Sequence, residues 1–167
     1  MRRTIGGTWV FQLVIIFVLM FAAYLALSIN MSKTYKMKNE MLNFIEKNQG
    51  VTDGENGSIY LINNYLRYNN YRATGKCEEG YYGALSIDDD TNSNFEFVNE
   101  SNTSKYYYCI KKVTNYNKSY PQRSYYRVKL FLEFNLPVVG NIINFNVEGK
   151  TTEISHTFDS DLFTVNY

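Results

Sequence analysis

The chain has 167 residues and nearly balanced charge, with 17 lysine and arginine residues against 16 aspartate and glutamate residues. This balance argues against nucleic acid as a partner, because such proteins carry a basic footprint. Aromatic residues make up 17% of the chain. We interpret them mainly as core and strand formers, with a stacking surface for a ligand as the alternative.

Residues 8–29 form a strongly apolar run without a charged residue. A helix of this length spans roughly 30 Å, which is the thickness of a bilayer's hydrocarbon core. The run therefore predicts a transmembrane helix. A cleaved signal peptide is the competing interpretation, but signal peptides have shorter apolar regions that end in a small-residue cleavage site. Tyr24, Leu27 and Ile29 lie where such a site is expected.

Basic residues flank this run on both sides, so positive charge alone does not set its orientation. The two cysteines, Cys77 and Cys109, both follow the run and form an even pair, as expected where thiols are oxidised. We therefore predict a disulfide between them, with Arg2 and Arg3 inside. Residues 30–167 are expected outside the cytoplasm as one domain. Two buried free thiols are the alternative.

The first helix is expected to continue beyond the membrane. Residues 30–47 contain neither proline nor glycine, and their apolar residues recur near helical spacing among charged ones. We expect an amphipathic half that ends at Gly50, which would supply a left-handed cap. A short second helix is predicted over residues 58–68, with Ser58 as its N-cap. The apolar stripe expected on the first helix comprises Met31, Tyr35, Met41, Leu42 and Ile45.

Beyond Cys77 the apolar pattern changes to the period of β-structure. Strands are predicted over residues 81–87, 95–98, 106–113, 125–136, 143–148 and 151–154. Gly149 and Lys150 are expected to interrupt the chain between the last two strands. In the clearest strand, apolar residues alternate with polar ones such as Arg127 and Lys129. A charge reversal at Lys129 is therefore expected to be nearly neutral. The predicted fold class is α+β, with the amphipathic half of the first helix packed on an antiparallel sheet.

The sequence contains little of what a catalytic or metal site needs. Its single histidine, His156, has no second imidazole to act with, and the cysteines are expected to be bonded to each other. Asp88, Asp90 and Asn92 have the spacing of the first ligands of a calcium loop, but Ser93 stands where that loop needs glycine. We interpret this run as a polar turn. We expect no enzymatic activity, cofactor, metal site or small-molecule substrate.

The short basic leader, the Gly6-Gly7 pair, the apolar helix that becomes amphipathic and the disulfide-bonded sheet resemble type IV pilin-like proteins. The closest resemblance is to the pseudopilin-like proteins of tight-adherence (Tad) secretion systems. It implies that residues 1–7 are a short basic leader and that a prepilin peptidase cuts after Gly7, so that Thr8 becomes the N-terminus and Gln12 the fifth residue. Family members usually carry glutamate at that fifth position and phenylalanine at the first.

The resemblance implies a membrane-anchored structural subunit, a minor pilin or pseudopilin of a bacterial filament or secretion apparatus at the cell surface. Its partners would be the lipid bilayer and sister pilin-like subunits. Gln12 would contact such a subunit in the membrane, where an amide needs a hydrogen-bonding partner. The alternative is that Gln12 reaches water by snorkelling. A stand-alone membrane-anchored extracytoplasmic binding or adhesion module is the second functional hypothesis.

Overall fold

A computed structural model describes residues 2–88, 94–115, 123–136 and 140–155. In these residues the chain forms two helices, α1 (Arg2–Lys47) and α2 (Ser58–Tyr68), followed by a sheet. The strands are β1 (Tyr82–Ala84), β2 (Phe95–Phe97), β3 (Tyr108–Asn115), β4 (Arg123–Leu136), β5 (Gly140–Lys150) and β6 (Ile154–Ser155).

The sheet is antiparallel and has the strand order β2-β1-β3-β4-β5, with β6 paired to the first residues of β4. Its two longest strands, β4 and β5, form a hairpin at one end of that order, in which Leu130 lies opposite Val147 and Leu132 opposite Phe145. The amphipathic half of α1 packs on this hairpin. The α+β fold class predicted from the sequence is therefore confirmed.

The core lies between the two helices and one face of the sheet. On α1 the buried residues are Thr34, Met37, Met41 and Ile45. Their spacing of three and four residues places them on one stripe of the helix. Tyr35, expected in that stripe, is 45% exposed, because it lies about 100° further round the helix than Thr34. The fully buried residues opposite this stripe include Tyr108, Ile110, Tyr126, Val128 and Leu130.

The strand β5 runs through Gly149 and Lys150, where an interruption was predicted. The glycine leaves room for neighbouring side chains, since a Cβ atom there would lie 2.8 Å from the Lys38 side chain and 2.9 Å from that of Leu42. Glycine in a strand often marks a close approach of another element. At Gly149 that element is α1, so the residue allows the helix to contact the sheet rather than ending the strand.

The end of α1 also differs from the prediction. Gln49 adopts the left-handed conformation with φ 55°, whereas Gly50 has φ 149°. The Gln49 amide donates to the Glu46 carbonyl at 3.1 Å and the Gly50 amide to the Ile45 carbonyl at 2.9 Å. These two bonds define a Schellman motif, in which the left-handed residue is the one before Gly50.

The start of α2 lies at Ser58, as predicted, but Ser58 is the first helical residue and Gly57 is the N-cap. The Ser58 hydroxyl accepts a hydrogen bond from the Thr52 amide at 2.9 Å. The Ser58 amide in turn donates to the Thr52 hydroxyl at 3.0 Å. The serine therefore ties the loop before α2 to the helix, instead of capping the helix with its own side chain.

Candidate functional site on the exposed half of the first helix

The first half of α1 projects away from the sheet. Residues 7–22 are all exposed, and the large apolar side chains include Trp9 at 74%, Phe11 at 67% and Phe17 at 64% exposure. Within the described residues, α1 is the one helix long and apolar enough to be a candidate membrane span. A contiguous apolar surface of this size marks a site of interaction with a membrane or another protein.

The residues predicted to be cut by a peptidase lie within this helix. The chain is helical on both sides of Gly7 and Thr8, because α1 begins at Arg2. An added Cβ at Gly7 would meet nothing within 4 Å, so packing inside the chain does not require glycine there. Gln12 is exposed and follows Thr8 by four residues, which places both on one face of the helix.

The calcium and histidine candidates lie largely outside the described residues, as Asp90, Asn92, Ser93 and His156 all do. Asp88 is described, and its main-chain carbonyl accepts a hydrogen bond from Arg67 at 3.1 Å. In the described part of the chain, no group of three or more histidine, cysteine, aspartate or glutamate residues could hold a metal ion.

The disulfide predicted from the sequence is present. Cys77 and Cys109 are bonded, with their Cα atoms 5.8 Å apart, and Cys109 is fully buried. The bond joins the segment after α2 to β3. In the sheet register Cys109 lies opposite Lys129, so the disulfide is on the face that α1 does not cover.

The segment of residues 73–81, which carries Cys77, crosses this second face of the sheet. Gly75 pairs with Tyr106 in an isolated bridge, and a Cβ on Gly75 would lie 2.2 Å from the Phe131 ring. Phe131 forms a small second cluster with Tyr81 and Cys109. The sheet is therefore covered on both faces near its middle, which the alternating pattern of β4 did not indicate.

Lys129 is buried beneath this segment and is 5% exposed. Its ammonium donates to a Glu78 carboxylate oxygen at 2.6 Å, and this hydrogen bond and the positive charge lower the pKa of Glu78. The Glu78 side chain itself is 69% exposed. The expectation that a charge reversal at Lys129 is neutral is therefore not supported by its position: an aspartate there would place two carboxylates together in a partly dry site.

Tyr81 makes a further polar contact on the same face of the sheet as Lys129. Its hydroxyl donates to the Glu148 carboxylate at 2.7 Å, and the Lys111 ammonium lies 5.4 Å from the centre of its ring. Burial, together with this carboxylate, raises the pKa of Tyr81 to about 12. Tyr81 is therefore a neutral hydrogen-bond donor that ties residues 73–81 to β5.

Tyr71, in the loop after α2, joins the sheet at the point where β3 begins. Because β3 starts at Tyr108 opposite Leu130, the next residue of β4, Phe131, has no partner in β3. The Tyr71 hydroxyl takes that place: it accepts from the Phe131 amide at 2.9 Å and donates to the Phe131 carbonyl at 2.8 Å. Burial raises the pKa of Tyr71, so this hydroxyl stays protonated.

Sequence reasoning missed the covered second face, although two signals pointed to it. Phe131 is a large aromatic residue on the face of β4 that also carries Arg127 and Lys129. Cys109 lies on the same face as Lys129, so the disulfide has to bring residues near Cys77 across it. Together, Phe131 and the position of Cys109 indicate that part of this polar face is shielded from water.

Removing the partner of Lys129 should destabilise the domain. We expect Glu78→Gln to cost about 1 to 2 kcal/mol, the lower part of the range for a charged partner, since the Glu78 carboxylate is largely exposed to water. The pKa of Glu78 is lowered in the folded state, so this stabilisation is present above its unfolded pKa and is lost as the pH falls through the folded pKa. Urea unfolding from pH 7 to pH 3 measures both effects.

The exposed Glu79 next to it provides the matched control. Glu79→Gln should leave the unfolding free energy within about 0.5 kcal/mol of the wild-type value. An equal loss in both variants would contradict a specific contribution of the ion pair between Lys129 and Glu78.

Comparison with known proteins provides no further assignment. No family model, no curated protein and no solved structure matches the chain.

Proposed function

We propose that the protein is a membrane-anchored, pilin-like structural subunit, a minor pilin or pseudopilin of a filament or secretion apparatus. The observation that carries the proposal is the division of α1. Its first half is exposed and apolar, whereas residues 34–45 are packed on the sheet. One continuous helix thus links a lipid-compatible surface to a folded domain, which suits a subunit that leaves the bilayer to join a bundle of similar helices.

The proposal places the globular domain outside the cytoplasm and the leader inside. The disulfide between Cys77 and Cys109 supports this orientation, because disulfides form and persist in oxidising compartments. In this arrangement α1 holds the subunit in the bilayer before assembly. The same apolar surface then packs against sister subunits in the filament, with no enzymatic step performed by this chain.

Gln12 is the side chain that would select a partner within the membrane. An amide in hydrocarbon gains roughly 0.6 to 2 kcal/mol from a hydrogen bond to a neighbouring helix. Cleavage behind Gly7 would make the amine of Thr8 the new N-terminus. On a sister subunit, this amine would donate a hydrogen bond to the side-chain carbonyl of Gln12. The family's usual glutamate would form an ion pair at this point, so an amide makes a weaker contact.

Co-purification and mass spectrometry in the native cell test this proposal. We expect the mature chain to begin at Thr8, and we expect Gln12→Leu to lose sister subunits while its level in the membrane is unchanged. Ser28→Leu is the matched control, because it also replaces a polar residue by leucine on the exposed part of α1. It should retain the sister subunits.

Two results would point to a stand-alone anchored binding or adhesion module instead. One is a chain that still begins at Met1, and the other is a Gln12→Leu variant that behaves like the Ser28→Leu control. Both together would contradict the pilin-like subunit, because neither processing nor a polar contact between helices would then take place.

A further inference from the structure

A pocket lies beside the part of α1 that directly follows the apolar run. Its volume is about 250 Å³. It is lined by Lys33 and Thr34 of α1, by residues 69–73 after α2, and by Leu132 and Glu133 of β4. We call it the helix-base pocket. Three separate parts of the fold meet there, so its shape depends on the folded domain and not on α1 alone.

The helix-base pocket lies at the depth of lipid headgroups, if residues 8–29 fill the hydrocarbon core. This placement rests on the membrane anchor of the proposed function. At about 1.5 Å per residue, Lys33 and Thr34 stand roughly 6 and 8 Å beyond Ile29 along the helix axis. The headgroup region extends roughly 5 to 8 Å from the hydrocarbon core on each side. The pocket therefore begins where lipid phosphates lie.

The charges of the pocket favour an anion. The Lys33 ammonium donates to the Asn69 carbonyl at 2.9 Å, which holds it at the wall of the pocket. Arg72 lines the same pocket and is exposed. Its guanidinium presents a planar fork of donors that matches two phosphate oxygens. Glu133 is the one carboxylate among the lining residues, so the two cations outnumber it.

Part of the remaining wall is apolar, beside the polar side chains of residues such as Asn30 and Asn70. Met37, Ala73 and Leu132 line the pocket beside the cations. In the sequence, Glu133 is followed by residues 134–147, which contain no charged residue. A phospholipid also combines a charged part with an apolar part at this depth, namely its phosphate and the beginning of its acyl chains. An anion that is fully hydrated in solution would gain nothing from the apolar part.

We infer that the helix-base pocket binds the phosphate of an anionic lipid of the bilayer that holds α1. Arg72 and Lys33 contact the phosphate oxygens, and the apolar wall faces the glycerol and the upper acyl chain. The contact fixes the tilt of the domain on the membrane surface. The subunit has to give up this lipid when it leaves the bilayer.

Native mass spectrometry of the full chain in nonionic detergent tests this inference. We expect phosphatidylglycerol to be retained in preference to phosphatidylcholine. An exposed ion pair is worth at most about 1 kcal/mol, so Arg72→Gln should reduce retention of phosphatidylglycerol by up to about fivefold. Arg72→Gln with Lys33→Gln should reduce it by up to about thirtyfold. Glu133→Gln should increase it.

Lys47→Gln is the matched control, because it removes the same charge from an exposed site at the far end of α1. Lys47→Gln should retain the lipid as the wild type does. Arg72→Lys should retain more phosphatidylglycerol than Arg72→Gln, because it keeps the positive charge. Equal losses in Arg72→Gln and Lys47→Gln would overturn the inference, since only overall charge would then matter. Millimolar inorganic phosphate that displaces the lipid completely would overturn it too, in favour of a free anion.

Carbonate extraction of membranes separates this inference from the proposed function. A full chain that carbonate releases from membranes has no anchor, and the proposed function then fails first. A full chain that resists carbonate but shows no preference for phosphatidylglycerol contradicts the headgroup site alone.

Discussion

Met41→Asp should unfold the globular domain. Met41 is fully buried between α1 and the sheet, in the cluster that also holds Ile45, Leu130 and Val128. Losing a buried methionine costs about 2 to 5 kcal/mol, and a carboxylate without a partner in the same place adds to that cost. A small domain is stable by only about 5 to 15 kcal/mol. Circular dichroism in urea should therefore show a variant that is largely unfolded at neutral pH.

Asn39→Asp is the matched control on the same helix. Asn39 is exposed and lies two residues from Met41, so the substitution adds the same charge on the solvent side. We expect a change within about 0.5 kcal/mol. Met41→Leu should cost less than about 1.5 kcal/mol, because it keeps an apolar side chain of similar volume. If Met41→Asp were as stable as Asn39→Asp, α1 would be a tether and not part of the core.

Removing the disulfide should have the second largest effect. The bond between Cys77 and Cys109 closes a loop with a sequence separation of 32 residues. Restricting the unfolded chain in this way contributes about 3 to 4 kcal/mol. We expect Cys77→Ala with Cys109→Ala to lose that amount in urea unfolding. The segment over the second face of the sheet should open first, since the disulfide is its covalent link to β3.

Reduction of the wild-type protein provides the internal check. A reductant should lower the stability of the wild type to that of the double alanine variant, and it should leave the variant unchanged. Labelling of the unfolded, unreduced wild type should find no free thiol. Two reactive thiols per chain would contradict the bond, and with it the argument that the domain faces an oxidising compartment.

The two faces of the sheet have different roles in this picture. The face under α1 couples the exposed apolar half of that helix to the domain, because Met41, Ile45 and Gly149 bring the helix into direct contact with β4 and β5. The opposite face is held by residues 73–81 through the disulfide and the pair between Lys129 and Glu78. Each face of the sheet is therefore packed against a different part of the chain.

The sequence by itself determined the long first helix, the second helix, the main strand and the packing of the first helix on the sheet. An uncharged apolar run followed by helical spacing to Ile45 is sufficient to place a long helix, because both patterns are local and continuous. The alternation in residues 125–136 likewise determined that the strand has one apolar face, and that face had to be covered by the one long apolar stripe available. Ser58 and Tyr68 were correct as the ends of α2 for the same local reason.

Only the tertiary structure decided what covers the other face and which polar residues are buried. Lys129 and Glu78 are far apart in sequence, and Tyr71 and Phe131 even more so. Alternation tells which side chains share a face, but it does not say which distant segment crosses that face. Gly149 is a further example. Its local sequence predicts a break in the strand, whereas in the structure it lies within β5 and faces the side chains of Lys38 and Leu42. Contacts between distant segments depend on the whole chain being packed, and no local period encodes them.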